Sequence, residues 1–221
     1  GRVFRDYDDP AAAKVMIGWM GNWEYANKVP TSWGRGAQSI PRELTLVSSP
    51  RGYELIQRPL PALQKLRGPA VALGARQIGN AAPLEEFRPA RNTYELEAVF
   101  GLGAEGRRFG LNLCVRGLNK VAIGYDVAEG RVFLDRRKSG DVSFSDVFAR
   151  EFTAPLVARG DEIKFHVFVD QSSVEVFVND GQAVLTAQIF PDPRSTGVEL
   201  FSTGGEIYLK RFTAWELASI W

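Results

Sequence analysis

The 221-residue chain is poor in the side chains that most often carry catalysis, with one cysteine, Cys114, and one histidine, His166. One cysteine cannot close an intrachain disulfide, so no disulfide framework exists and redox compartment is not readable. Cys114 sits in the apolar stretch Leu111-Asn112-Leu113-Cys114-Val115. No histidine lies near it in sequence, so it reads as a buried structural thiol and not a nucleophile. His166 alternates with Phe165 and Val167. With no second imidazole and no ligand cluster nearby, it makes no metal site, and no cofactor is expected. No apolar run reaches the ~18–20 residues of a membrane-spanning helix, and no signal peptide is visible. An excess of charge is also missing. Lys+Arg number 27 against 26 Asp+Glu, so the charge balance argues for no nucleic-acid and no membrane partner. The short basic cluster Arg136-Arg137-Lys138, close to Gly140, reads as a solvated turn.

What is present is ordinary globular composition, 45% hydrophobic and 24% charged, enough for a real core. The chain begins at Gly1 and not Met. Its first residues read as the inside of a protein, so a fragment or processed piece is expected.

Short runs of period-2 alternation separated by turn signals dominate, the pattern of an all-β protein. Thr93 to Phe100, Arg108 to Val115, Lys120 to Val127 and Arg131 to Asp135 follow one another closely. Glu162 to Asp170 and Ser173 to Val178 form the clearest pair, and Asn179-Asp180-Gly181 supplies residues that tolerate positive φ. Ala183 to Ile189, Val198 to Ser202 and Glu206 to Phe212 complete the series. Such spacing predicts a two-sheet sandwich over residues 70–221. Its inward faces would carry Tyr94, Leu96, Ala98 and Phe100 on one strand and Phe165, Val167 and Val169 on another. The one short helix candidate is Leu60 to Leu66.

The first ~50 residues differ. Trp19, Trp23 and Trp33, with Tyr7 and Tyr25, concentrate aromatics there. Val15 to Met20 and Glu43 to Val47 read as strands. Two strands cannot bury both faces alone, so this piece is expected to belong to a larger sheet. Residues 49–69, punctuated by Pro50, Pro59, Pro61 and Pro69, read as the connection.

Two blocks carry a resemblance. The first is Ile17-Gly18-Trp19-Met20-Gly21-Asn22-Trp23-Glu24-Tyr25-Ala26-Asn27, followed by Val29-Pro30-Thr31 and Ile40-Pro41-Arg42-Glu43-Leu44. The second is Ser139-Gly140-Asp141-Val142-Ser143-Phe144, then Phe168 through Gly181, then Ile189-Phe190-Pro191. Together they resemble glycoside hydrolase family 32, the family of levanases, inulinases, invertases and related fructosyltransferases. The resemblance implies an all-β fold: a C-terminal β-sandwich preceded by the last-blade fragment of a five-bladed β-propeller, with residues 1–48 as the blade remnant. It implies fructan or sucrose as the carbohydrate partner, the missing N-terminal propeller portion as a further partner, and a secreted or periplasmic location.

Splitting a fructosyl bond with retention needs a nucleophilic carboxylate and an acid about 5–5.5 Å apart. In the family these lie in Asn-Asp-Pro-Asn and Glu-Cys motifs, with a further aspartate in Arg-Asp-Pro. None of the three motifs occurs here: Asp9-Pro10 is preceded by Asp8 and followed by Ala11, and Cys114 follows Leu113. Asp6, Asp8 and Asp9, the pair Glu85-Glu86 and the pair Asp161-Glu162 read as solvated turn residues. No catalytic residue is therefore expected in this chain, and alone it is expected to be inactive.

What would remain of an active site is its aromatic wall. By resemblance Trp19 lines the fructosyl pocket. A flat indole suits the apolar C–H face of a sugar, and Asn22 is placed to hydrogen-bond a hydroxyl. Trp23 is the third candidate, with Tyr25 and Glu24 behind it, and Arg42 and Glu43 are expected to pair locally. Against this stands the reading of Trp19 and Trp23 as core residues of a blade. Two alternatives to the hydrolase fragment are a non-catalytic fructan-binding or bracing module and one half of a split enzyme.

Overall fold

The computed structural model describes residues 1–50, 52–103, 107–158 and 160–220. Arg51 of the expected connection and positions 104–106, 159 and 221 of the expected sandwich lie outside the described residues. The described strands form three antiparallel sheets, plus two short 3-10 turns, Ala26–Lys28 and Pro61–Leu66. The second turn falls on the one helix candidate, and Pro61 at its start explains why the chain coils there.

The first sheet has four strands in sequential order: β1 (Arg2–Phe4), β2 (Lys14–Ile17), β3 (Arg42–Ser49) and β4 (Gly52–Pro59). A four-stranded meander is the unit from which propeller blades are built. Residues 49–69, expected as the connection, hold a strand of this sheet. Gly52–Pro59 pairs along the whole of β3, from Ser49 opposite Gly52 to Arg42 opposite Pro59. Pro50 and Pro59 bound the strand and do not interrupt its hydrogen-bond ladder. What links the sheet to the rest is therefore only the 3-10 turn up to Leu66.

The other strands are β5 (Arg67–Leu73), β6 (Arg76–Ile78), β7 (Ala82–Pro83), β8 (Tyr94–Gly101), β9 (Arg108–Arg116), β10 (Asn119–Asp126), β11 (Arg131–Lys138) and β12 (Glu151–Pro155). They continue with β13 (Glu162–Asp170), β14 (Ser173–Val178), β15 (Ala183–Gln188), β16 (Gly197–Thr203) and β17 (Ile207–Leu217). One sheet runs β12-β11-β10-β9-β16-β7; the facing sheet runs β15-β14-β13-β8-β17-β5, with β6 also on β17. Alternation decides what lies between them. Tyr94, Leu96, Ala98 and Phe100 from β8 and Phe165, Val167 and Val169 from β13 all enter one buried cluster. That cluster also takes Leu111, Leu113, Ile123, Val132 and Leu134 from the opposite sheet. Side chains interdigitating between two inner faces make the core of a sandwich.

The outer face of the β8–β13–β14 sheet is not left to water. Glu95 and Glu175 point outward there and are each only 1% exposed, covered by the first sheet and its connection. The turn Asn179-Asp180-Gly181 shows why. All three residues have positive φ, and Gly181 lies so close to β4 that a Cβ would stand 1.9 Å from the Gln57 carbonyl oxygen. The Gln57 N–H donates to the Gly181 carbonyl at 3.1 Å. The hairpin tip thus rests backbone to backbone on the first sheet.

The basic cluster needs a correction. Arg137 and Lys138 are exposed, but Arg136 is 1% exposed. Period 2 explains it: Arg136 continues the face of β11 that carries Val132 and Leu134 into the core.

Candidate sugar-binding wall

The candidate residues lie just beyond β2. Chain pairing carries on past Ile17: the Ser39 N–H donates to the Gly18 carbonyl at 2.7 Å and the Met20 N–H to the Ala37 carbonyl at 2.9 Å. Trp19 pairs with Gln38 in an isolated bridge. The chain then turns, and Gly21 meets the Trp19 indole. A Cβ at position 21 would come within 2.3 Å of indole Cζ2, so the ring can lie flat only over a glycine. Trp19 and Trp23 hold their ring centroids 5.0 Å apart at 56°. Their exposures are 44% and 88%. Two exposed neighbouring indoles form an apolar surface rimmed by polar groups.

Asn22 sits between them and is half-buried. Its carboxamide oxygen accepts the Glu24 N–H at 2.9 Å, and its amide donates to Glu24 Oε2 at 3.2 Å. A carboxamide has two N–H donors and two lone pairs, so one of each stays available for a hydroxyl. The Asn22 carbonyl accepts the N–H groups of Tyr25 and Ala26 at 3.1 and 2.7 Å. Trp19, Asn22 and Trp23 are thus brought together on one short loop. Trp33 is also exposed.

Tyr25 lies on the opposite, buried side. It packs edge-on against Phe148 and Phe144. Its hydroxyl accepts a hydrogen bond of 3.1 Å from Arg136 Nη2. Arg136 also donates to the carbonyls of Phe148 at 2.8 Å and Gln188 at 3.1 Å, and its guanidinium lies 3.7 Å over the Phe148 ring. Burial pushes the Arg136 pKa down, and the Tyr25 hydroxyl acts against that. Composition hides this residue; only the parity of β11 reveals it.

Arg42 and Glu43 do not pair with each other. Arg42 Nη2 reaches Glu175 of β14 at 2.5 Å and also the Thr186 hydroxyl, while the Ile40 N–H donates to Glu175 at 2.7 Å. Burial pushes the Glu175 carboxyl up, and the Arg42 charge and these hydrogen bonds pull back against it. Glu43 borders a cavity of about 230 Å³ between the two sheets, with Arg58, Glu97, Lys164, His166 and Asp180. His166 Nε2 lies 2.5 Å from Glu95, whose other contacts are Arg67 Nε at 2.7 Å and Nη2 at 2.6 Å.

The remaining carboxylates have local work. Asp6 accepts the N–H groups of Asp8 and Asp9, Glu85 pairs with Arg88, and Glu86 pairs with Arg76. Asp161 and Glu162 both hold Lys210. Cys114 is buried, and burial pushes its thiol up to about 12, so no thiolate is on hand.

Two family models match the chain. Residues 3–59 fit the glycosyl hydrolases family 32 N-terminal domain, and residues 62–216 fit the glycosyl hydrolases family 32 C terminal. A levanase of Bacillus sp. (strain L7) is 35% identical over 216 residues, 97% of this chain and 24% of that protein. A levanase of Bacillus subtilis (strain 168) is 35% identical over 98% of this chain and 32% of that protein. The crystal structure of exo-inulinase from Aspergillus awamori superposes with a TM-score of 0.84 at 32% identity, covering 95% of this chain and 41% of that one. The chain therefore spans between about a quarter and two fifths of the length of these relatives.

Proposed function

The chain belongs to glycosyl hydrolase family 32, and from that premise we propose that it is the C-terminal part of a fructan-splitting glycosidase, carrying one wall of the sugar pocket but not the reacting carboxylates. In this reading residues 1–59 are the last blade of the propeller and the sandwich braces it. The substrates are fructans or sucrose, by analogy with the levanases and the exo-inulinase it is similar to.

The observation that carries the reading is the loop from Trp19 to Trp23. Two exposed indoles stand 5.0 Å apart, with Asn22 between them. Trp19 receives the C–H face of a fructosyl ring by stacking, and Asn22 donates to or accepts from a ring hydroxyl. Trp23, the more exposed of the two, bounds the pocket toward solvent. Neither indole nor carboxamide transfers a proton to a leaving oxygen. Cleavage needs an acid and a nucleophile from elsewhere in the propeller.

The test assays fructose release from levan, inulin and sucrose by the purified chain, alone and mixed with a recombinant propeller portion. The chain alone releases none; the mixture does, and Trp19→Ala in the mixture lowers substrate affinity about tenfold. Turnover by the purified chain alone overturns the reading. A second reading, a bracing module with no sugar site, draws on the buried Arg42–Glu175 contact between sheet and sandwich. Calorimetry with levan and inulin separates the two, since a pure brace gives no heat with either.

A further inference from the structure

A guanidinium as deeply buried as Arg136 normally faces a carboxylate, because an unpaired buried charge is costly. Among the described residues its hydrogen-bond partners are three neutral oxygens: the carbonyls of Phe148 and Gln188 and the hydroxyl of Tyr25. The two carbonyls belong to the sandwich's own chain. The third acceptor comes from the loop between β2 and β3, 111 residues away. A planar fork aimed at three fixed acceptors sets orientation as well as distance. Phe148, Phe152 and Tyr25 enclose its faces, so the fork has little room to turn.

Tyr25 in turn is bound to the loop. Its N–H and that of Ala26 both donate to the Asn22 carbonyl, and the Lys28 N–H donates to the Tyr25 carbonyl in the 3-10 turn. Asn22 holds Glu24 through its side chain and is next to both Trp23 and Gly21, on which the Trp19 ring lies. The links from Arg136 to the indoles are thus the hydrogen bonds to Tyr25 and from Tyr25 to Asn22, the peptide bonds on either side of Asn22, and the packing of the Trp19 ring against Gly21.

We propose that Arg136 is a positioning residue for the sugar-binding wall: by fixing the Tyr25 hydroxyl from the sandwich side it sets where Trp19, Asn22 and Trp23 stand. This rests on the reading of that loop as a sugar wall. It gives the sandwich a role in the site without any contact to sugar, and it explains why an arginine and not an apolar residue ends the core face of β11.

The test is a spectrum of the indole N–H groups in the 221-residue chain. Trp19, Trp23 and Trp215 peaks are assigned with single Trp→Phe variants. Tyr25→Phe keeps the ring packing and removes only one of the three acceptors, the hydroxyl, so it stays folded if Arg136→Met does not. The expected result is that Tyr25→Phe shifts the Trp19 and Trp23 peaks and leaves Trp215, stacked on Arg67 at the far end of β17, in place. Unmoved Trp19 and Trp23 peaks overturn the proposal. In the mixture with the propeller portion, the same variant raises KM about 5- to 10-fold with a smaller change in kcat. A shifted spectrum with unchanged KM keeps Arg136 as the setter of the loop and instead sinks the reading of the loop as a sugar wall. Trp19→Ala with unchanged KM does the same independently.

Discussion

Arg42 and Glu175 are 133 residues apart in sequence and meet at 2.5 Å, with both side chains nearly out of reach of water. Arg42 opens β3 of the first sheet, and Glu175 stands on the outer face of the sandwich. The pair therefore ties the two parts of the chain where neither would have a reason to bury a charge alone. Such a pair contributes little net stability when intact, yet removing one partner strands the other.

Glu175→Ala is accordingly expected to destabilise the chain by about 3–5 kcal/mol. The double variant Arg42→Met with Glu175→Leu leaves no unpaired charge, only the Ile40 N–H and the Thr186 hydroxyl without these partners, and is expected to lose less. Urea unfolding of the three proteins checks this. A double variant as unstable as the single one would mean that shape, not charge, decides the interface.

Gly21→Ala separates stability from site geometry. The three atoms nearest the new Cβ all belong to the Trp19 indole, which is 44% exposed, so the ring can swing away into solvent. The expected cost in stability is below about 1 kcal/mol, but the 5.0 Å approach of Trp19 to Trp23 is lost. Tryptophan fluorescence should change while the unfolding midpoint barely moves. A large drop in midpoint would place the indole in a tighter setting than its exposure indicates.

Much of the architecture was legible because the sandwich strands alternate cleanly. Glu162–Asp170 and Ser173–Val178 fall where period 2 puts them, and Asn179-Asp180-Gly181 takes the positive φ its residue types permit. Strand β4 was hidden because two prolines flank it, a punctuation shared by loops and strand ends. Strand β12, Glu151–Pro155, is short, lies at a sheet edge and alternates weakly. Of the candidate wall, the loop from Trp19 to Trp23 stands out in the sequence through the block that carries the family resemblance. Arg42 with Glu175 and Arg136 with Tyr25 were not, since each pair joins residues more than a hundred positions apart. The burial of Arg136 could have been read from its parity with Val132 and Leu134, had the basic triplet not drawn attention to composition.

Cys114 offers an inexpensive check on the core. Its side chain is buried between the sheets, and burial holds the thiol neutral at any ordinary pH. Ellman's reagent at pH about 8 should therefore find almost no reactive thiol in the native chain and one per chain in denaturant. Prompt labelling of the native protein would mean that the sandwich opens far more readily than a core of this packing permits.

Acid should act through Glu95. Burial alone would raise its carboxyl, but hydrogen bonds from Arg67 and His166 outweigh that and hold it below the ordinary glutamate value of 4.5. Between that value and the lower folded one, the unfolded chain binds more protons than the native chain, so stability rises with pH through this window. The contribution is complete above the unfolded value and disappears as pH falls through the folded one. Glu175 has the opposite sign: its carboxyl is raised, so its share of stability falls as pH climbs through the window above the ordinary value. Glu95→Gln should thus be less stable than the native sequence near pH 7, with the gap closing as pH falls below the ordinary glutamate value, whereas Glu175→Gln should flatten the slope just above it. Urea midpoints measured across that range decide it. A gap for Glu95→Gln that stays constant down to the acid end would show that Arg67 and His166 stabilise the fold by packing on Glu95 and not by favouring its charge.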